Sequence, residues 1–259
     1  MNNKIKLNLF INSTSSFIAV FNLVTIFHEL GHWIAYKLTG FSPILYHNAV
    51  KSNAKNITDK QEIICLAAGP LAGLLIGILA FFIMKKRNKN HFLDLILLWT
   101  SLLGFINFFG YLSLTPLSIN GDTGKIAEIL SLSITIKWFI AIISFLLLWF
   151  LIIKTGKKFA SFIPNVEKKE KSSFVAYIIA LPLVVGSLIN TIFAMPVEYS
   201  ISLIYPATSS FFIFASWKEI LRTEYKDKIS IVQKKISVHI ILFLIIILTI
   251  NRLLTTGIG

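Results

Sequence analysis

The apolar residues of this chain fall into blocks of about 20, the length at which a helix crosses the hydrocarbon core of a bilayer. Polar residues gather in short clusters between them. Seven such blocks stand out, at roughly residues 13–39, 61–84, 91–113, 133–153, 173–195, 199–217 and 236–254. The sixth is the most diluted, by Tyr205, Pro206 and several Ser and Thr. Gly40, following Thr39, suits the end of the first helix. A polar stretch, Ser118 to Glu128, separates the third and fourth blocks and holds Asn120, Gly121, Asp122 and Gly124. The pattern predicts an all-α fold, a polytopic transmembrane helix bundle of about six to seven spans, with no internal repeat and no soluble domain.

Composition agrees. The mean hydropathy is +0.76, 55% of residues are apolar and Phe occurs 22 times, more apolar material than a soluble domain of 259 residues needs. The formal charge of +13 would point to nucleic acid in a soluble protein. Here the basic residues cluster between apolar blocks, at Lys85, Lys86, Arg87 and Lys89, from Lys154 to Lys171, and from Lys218 to Lys235. That is the positive-inside pattern of a multi-pass protein of the cell membrane, with lipid as the partner and no nucleic acid. With the N-terminus inside, 18 of the 25 Lys and Arg fall on the inner side, and loops 40–60 and 114–132 fall outside. Lys4 and Lys6 ahead of an apolar run mimic a signal peptide, but no convincing cleavage site follows, so the run reads as a retained span. Cys65 is the single cysteine, which leaves no disulfide within the chain. Frequent Ile, Lys and Asn suggest an AT-rich bacterial genome.

Residues 28–32 read His-Glu-Leu-Gly-His. On a helix, His28 and His32 are four apart, so both imidazoles face one way and can share a metal. Glu29 stands beside them and can take a proton from an attacking water, while zinc lowers the pKa of that water and polarises a carbonyl. Ionisable residues inside an apolar helix are costly and by default functional. Asn22, Thr25, Glu29, His32 and Tyr36 follow steps of three and four along the same helix, a polar seam suited to a water-filled cavity or to hydrogen bonds between helices.

Two histidines leave the zinc short of a protein ligand. The candidates are Asp59, Asp94, Asp122, Asp227, Glu128, His47, His91 and His239. Loop 114–132 lies two crossings after His32 and returns to the same side, so Asp122, in a Gly-flanked turn, is the best choice. His47, Asp59 and Glu128 stay open, and the others fall at or beyond the opposite side. In the second block Gly69, Gly73 and Gly77 form a small-residue stripe that lets helices approach closely and would hold this span against the zinc-bearing one.

Three features in this order resemble the site-2 protease family of intramembrane zinc metalloproteases. They are His28-Glu29-Leu30-Gly31-His32, then Ala68-Gly69-Pro70-Leu71-Ala72-Gly73, then Thr115-Pro116 leading to Asn120-Gly121-Asp122-Thr123-Gly124-Lys125. The resemblance covers about residues 15–130 and implies a three-span metalloprotease core, zinc held by His28, His32 and Asp122, and Glu29 as the catalytic residue. It also implies a site open toward the cytoplasm, against the outer side that the charges give. The chain departs from the family at the Asn that is thought to help hold substrate, whose expected position is Leu114, with Asn107 too early and Asn120 too late. It departs again where Asp-Gly-Gly becomes Asp122-Thr123-Gly124. No PDZ domain fits between Gly73 and Asp122, and no regulatory domain follows the last span.

The reading is then a metalloprotease-like membrane core at 1–132 followed by transmembrane helices at 133–259. The expected function is a zinc metalloendopeptidase that hydrolyses a membrane-embedded or membrane-associated peptide. Residues 43–50 suit an extended segment that could pair with an unwound substrate strand; no other substrate-binding residue is indicated. A degenerate scaffold acting as an immunity or partner-binding protein is the alternative. A zinc transporter is disfavoured by only five His and no His-rich loop.

Overall fold

The computed structural model describes residues 2–87, 91–197, 209–224 and 231–259. It is helical apart from one hairpin. Helix α1 (Asn2–Leu38) is followed by strands β1 (Pro43–Leu45) and β2 (Val50–Ser52), then α2 (Asp59–Arg87) and α3 (Phe92–Leu114). The short α4 (Asp122–Ile129) precedes α5 (Ile134–Gly156), which runs on as a 3-10 helix to Phe162. Helices α6 (Lys168–Val175) and α7 (Leu181–Phe193) join through a π turn at Ala176–Ala180. A 3-10 helix (Ser209–Ser216), α8 (Trp217–Arg222), a single turn (Ile231–Lys234) and α9 (Val238–Leu253) complete the fold.

Among the described residues six helices are long and apolar enough to cross a membrane: Asn2–Leu38, Asp59–Arg87, Phe92–Leu114, Ile134–Phe162, Lys168–Phe193 and Val238–Thr256. The first starts 11 residues before the predicted block. Asn8 and Asn12 do not end the helix, because their side chains donate to the carbonyls of Gln233, Val232 and Lys235. The predicted span 199–217 is not a long helix among the described residues. Residues 199–208 lie outside them, and Ser209–Ser216 is 3-10 helix.

The flanks of that block lie at opposite ends of the bundle. Ala194 accepts from His47 and Asn48, which places it beside the hairpin. Ser216 packs on Gly156, and the Lys171 ammonium donates to the carbonyls of Leu221 and Thr223, at the end of the bundle where Asn2 meets Glu170. Asn2 and Ile258 are likewise at opposite ends. Ile258 pairs with Leu45 at the hairpin end through both of its backbone groups.

Helix α1 is the axis. Its span is 78% buried, against 22–33% for α2, the α5 span and α9. Helices α2, α3, α7 and α9 pack around it. In lipid, apolar contact does little to draw helices together, and small and polar residues at the interface do more. Accordingly the most polar span is the most buried, while α2, α5 and α9 turn Leu, Ile and Phe outward. Where a proline removes a donor, a side chain supplies one. Pro182 cannot hydrogen-bond the carbonyl of Ile178, and the Ser13 hydroxyl donates to that carbonyl at 2.6 Å. Trp99 in turn donates to Ser13. One apolar cluster, from Leu9 and Phe17 to Ile240, runs through both halves of the chain.

Candidate metal centre

Helix α1 presents His28 and His32 toward α2 and α3, and α4 brings Asp122 to meet them. His28 Nε2 lies 3.0 Å from His32 Nε2. Asp122 Oδ2 is 3.1 Å from the first and 3.4 Å from the second. Ligand atoms about 2.0–2.1 Å from a tetrahedral zinc stand roughly 3.3 Å apart, so these three atoms have the spacing of one face of such a site.

The far side of each ring decides what the near side carries. His32 Nδ1 lies 2.7 Å from the Cys65 carbonyl, which can only accept, so Nδ1 holds the proton. His28 Nδ1 donates to Asn107 Oδ1 at 3.0 Å. Each neutral ring then points a bare Nε2 lone pair at the other and at a carboxylate oxygen. Three such lone pairs at these distances repel one another unless positive charge sits among them. The His28–His32–Asp122 group can hold a metal ion, and it is suited to one chemically. Burial alone would raise the Asp122 carboxyl, but positive charge on His32 and then on His28, carried by a proton where no metal is bound, outweighs that and holds it well below the usual carboxylate range.

The surroundings fit these three side chains closely. A Cβ on Gly31 would strike the Ala68 carbonyl, so α1 and α2 touch backbone to backbone there. A Cβ on Gly69 would fall on the His32 ring, and one on Gly73 on the Asn107 amide. Gly77 sits against Gly104 of α3. The glycine stripe thus does more than pack α2 on α1, since its successive positions clear space for the His32 ring, for Asn107, which bonds His28, and for α3. Pro70 leaves the Leu66 carbonyl without its helical donor, and Leu66 borders the site cavity.

Asp122 is positioned from outside the long helices. Thr123 donates to the Tyr111 carbonyl at the end of α3 and receives the Thr115 hydroxyl. A Cβ on Gly124 would strike the Ser118 carbonyl, so the turn before α4 folds tightly on it. Lys125 pairs with Glu62 of α2. The Thr that breaks the Asp-Gly-Gly pattern is therefore the residue that fastens the turn.

Glu29 is buried and borders a cavity of about 190 Å³ together with His28, His32, Tyr36, Tyr111 and Asp122. Asn48, Ala49 and Val50 of the hairpin line it as well. The Tyr111 ring stacks on His28 with centroids 5.0 Å apart. A larger groove of about 470 Å³, lined by Trp149, Phe211, Phe212, Phe214 and Ala215, holds no titratable group. No family model, curated protein or solved structure matches the chain.

The remaining candidate ligands lie elsewhere. Asp94 accepts from Arg87 and from the His91 N–H at the opposite end. His239 stacks on Phe92. His47 donates to Ala194, with burial lowering its pKa. Glu128 pairs with Lys137, Asp59 opens α2, and Asp227 lies outside the described residues. The polar seam divides. Glu29, His32 and Tyr36 face the cavity, whereas Asn22 bonds Asn190 and Asn251 and Thr25 bonds its own helix.

Leu114, where the resemblance sets the substrate Asn, is half exposed and does not border the cavity. Asn107 was too early by linear spacing, yet α3 carries it to His28. A buried Asn in an otherwise apolar helix was the available signal. Outer partners of this kind typically contribute 10–100-fold to metal affinity. Asn107→Ala should therefore weaken zinc binding by roughly 10–100-fold while leaving the helix content intact, measured by competition with a chromophoric chelator. Unchanged affinity would reduce the contact to packing.

Proposed function

We propose that the protein is an intramembrane zinc metalloendopeptidase acting on a membrane-embedded or membrane-associated peptide. The observation that carries the reading is the convergence of His28 Nε2, His32 Nε2 and Asp122 Oδ2 with Glu29 in one cavity inside a bundle of apolar helices. Zinc would be held by His28, His32 and Asp122, and when bound it supplies a Lewis acid that polarises a peptide carbonyl and acidifies water. The Asn107 side chain and the Cys65 carbonyl fix the tautomer in which both rings can ligate. Glu29 takes the proton of the attacking water and delivers it to the leaving amine.

A substrate helix hides its carbonyls in its own hydrogen bonds. The scissile segment is therefore extended. The hairpin offers a place for it. Strand β1 pairs with β2 on one side and with Ile258 on the other, while β2, whose Val50 borders the cavity, has no strand on its outer edge among the described residues. A substrate strand can add there through main-chain hydrogen bonds. The extended residues are 43–45 and 50–52, with 46–49 as the turn.

The test is a comparison of peptides in membranes from cells making the wild type and Glu29→Gln. Loss of a general base costs about 10²–10⁴-fold in rate, so products present with the wild type should vanish with the variant while zinc content stays unchanged. Identical peptide sets would sink the reading and favour a non-catalytic scaffold.

A further inference from the structure

We infer that the metal centre opens on the extracytoplasmic face and takes peptide segments presented there, so that export of the segment precedes its cleavage. The inference rests on the peptidase reading for its substrate. The orientation itself comes from the fold and the charges.

Every element that completes the site belongs to the hairpin end. His28 lies ten residues before the end of α1 at Leu38, about 15 Å at 1.5 Å per residue. Asp122 comes from α4, in the connection between α3 and α5 at that end. The hairpin residues Asn48 and Ala49 border the cavity as well. Nothing from the Asn2 end reaches the cavity among the described residues.

The basic residues sort the two ends. Of 25 Lys and Arg, 18 fall in segments that begin and end at the Asn2 end, and seven fall toward the hairpin end. The fold strengthens that division, because the flanks of the 199–217 block lie at opposite ends of the bundle, which puts the cluster that begins at Lys218 at the Asn2 end with the N-terminal lysines. Short loops rich in Lys and Arg stay in the cytoplasm, so the hairpin end faces out.

The consequence is a substrate class. A cytoplasmic precursor cannot reach the cavity before translocation. The reaction that supplies substrate is a transport or insertion step that leaves an extended segment at the outer leaflet. Candidates are exported peptides and the outward ends of transmembrane segments.

Two neutral replacements read the orientation. Asn53 follows β2 and Asn165 lies between the 3-10 helix and α6, and both are exposed. Cys65 is fully buried, so the wild type serves as the labelling blank. In intact bacterial cells a membrane-impermeant maleimide should label Asn53→Cys, and should label Asn165→Cys only after permeabilisation. A C-terminal alkaline phosphatase fusion, which folds only outside the cytoplasm, should be active. The reverse labelling with an inactive fusion would overturn the inference, as would equal labelling of both sites in intact cells. None of these readouts needs peptidase activity, so a failure here leaves the hydrolytic reading to the Glu29→Gln comparison, and a failure there leaves the orientation standing.

Discussion

Asp122→Ala will empty the metal centre. The wild type should carry about one zinc per chain, and the variant a small fraction of that, measured by elemental analysis after mild chelation. The reason lies in the arrangement of charge. His28 and His32 are neutral ligands with Nδ1 protons committed to Asn107 and Cys65. Asp122 is the anionic member, 3.1 and 3.4 Å from the two Nε2 atoms. Without it, a divalent ion would sit in a buried site with two neutral donors and no compensating charge. The loss should exceed the 10–100-fold typical of an outer-sphere partner. Asp122 also occupies the first turn of α4, where a carboxylate contributes roughly 0.3–1 kcal/mol through the helix dipole. Asp122→Asn is the companion variant: it keeps the shape of the turn and removes the charge, and it should lose zinc as well. Full zinc occupancy in both would place the third ligand elsewhere.

Gly69→Ala should have a comparable effect from outside the ligand set. The added methyl would overlap the His32 imidazole, at a point where α2 packs backbone to backbone on α1 through Ala68 and Gly31. The ring must rotate away, which breaks its 2.7 Å bond to the Cys65 carbonyl and swings Nε2 off the metal. Zinc should fall sharply and activity with it. Gly77→Ala separates this from general damage to packing. Its Cβ would meet Gly104 at 3.1 Å, tight enough to strain the contact between α2 and α3. Overpacking of that sort typically costs about 1–3 kcal/mol. Gly77→Ala should therefore melt earlier yet keep its zinc. Equal zinc loss in the two variants would mean that the stripe serves only helix packing.

Some of this was legible in the sequence and some was not. His28, Glu29 and His32 declare themselves because a spacing of four fixes a shared face on any helix. Asp122 was found by counting crossings, which needs only span lengths. Asn107 was missed because linear spacing from Pro116 says nothing about which neighbour a helix face meets, and the relation to His28 exists only once α3 is packed. The Cys65 carbonyl leaves no trace in a list of side chains. The long start of α1 was hidden by Asn8 and Asn12, which look like helix breakers until their partners 220–225 residues away are known. Blocks of apolar residues located four of the six described spans to within five residues at each end, while the first span starts 11 residues earlier and the fourth runs nine residues further. The block at 199–217 lies largely outside the described residues, and Ser209–Ser216 within it is 3-10 helix.

The central position of α1 also bears on how the chain is made. Helix α1 is synthesised before the elements on which its polar residues depend. Asn22 waits for Asn190 and Asn251, and Asn12 for the backbone at Val232 to Ser237. His28 and His32 wait for Asn107, Cys65 and Asp122. During translation these polar groups need shelter other than lipid, from water, a chaperone or the insertion machinery. Any metal would then load after insertion, and a ribosome stalled before α4 would leave a membrane intermediate in which His28 and His32 lack Asp122.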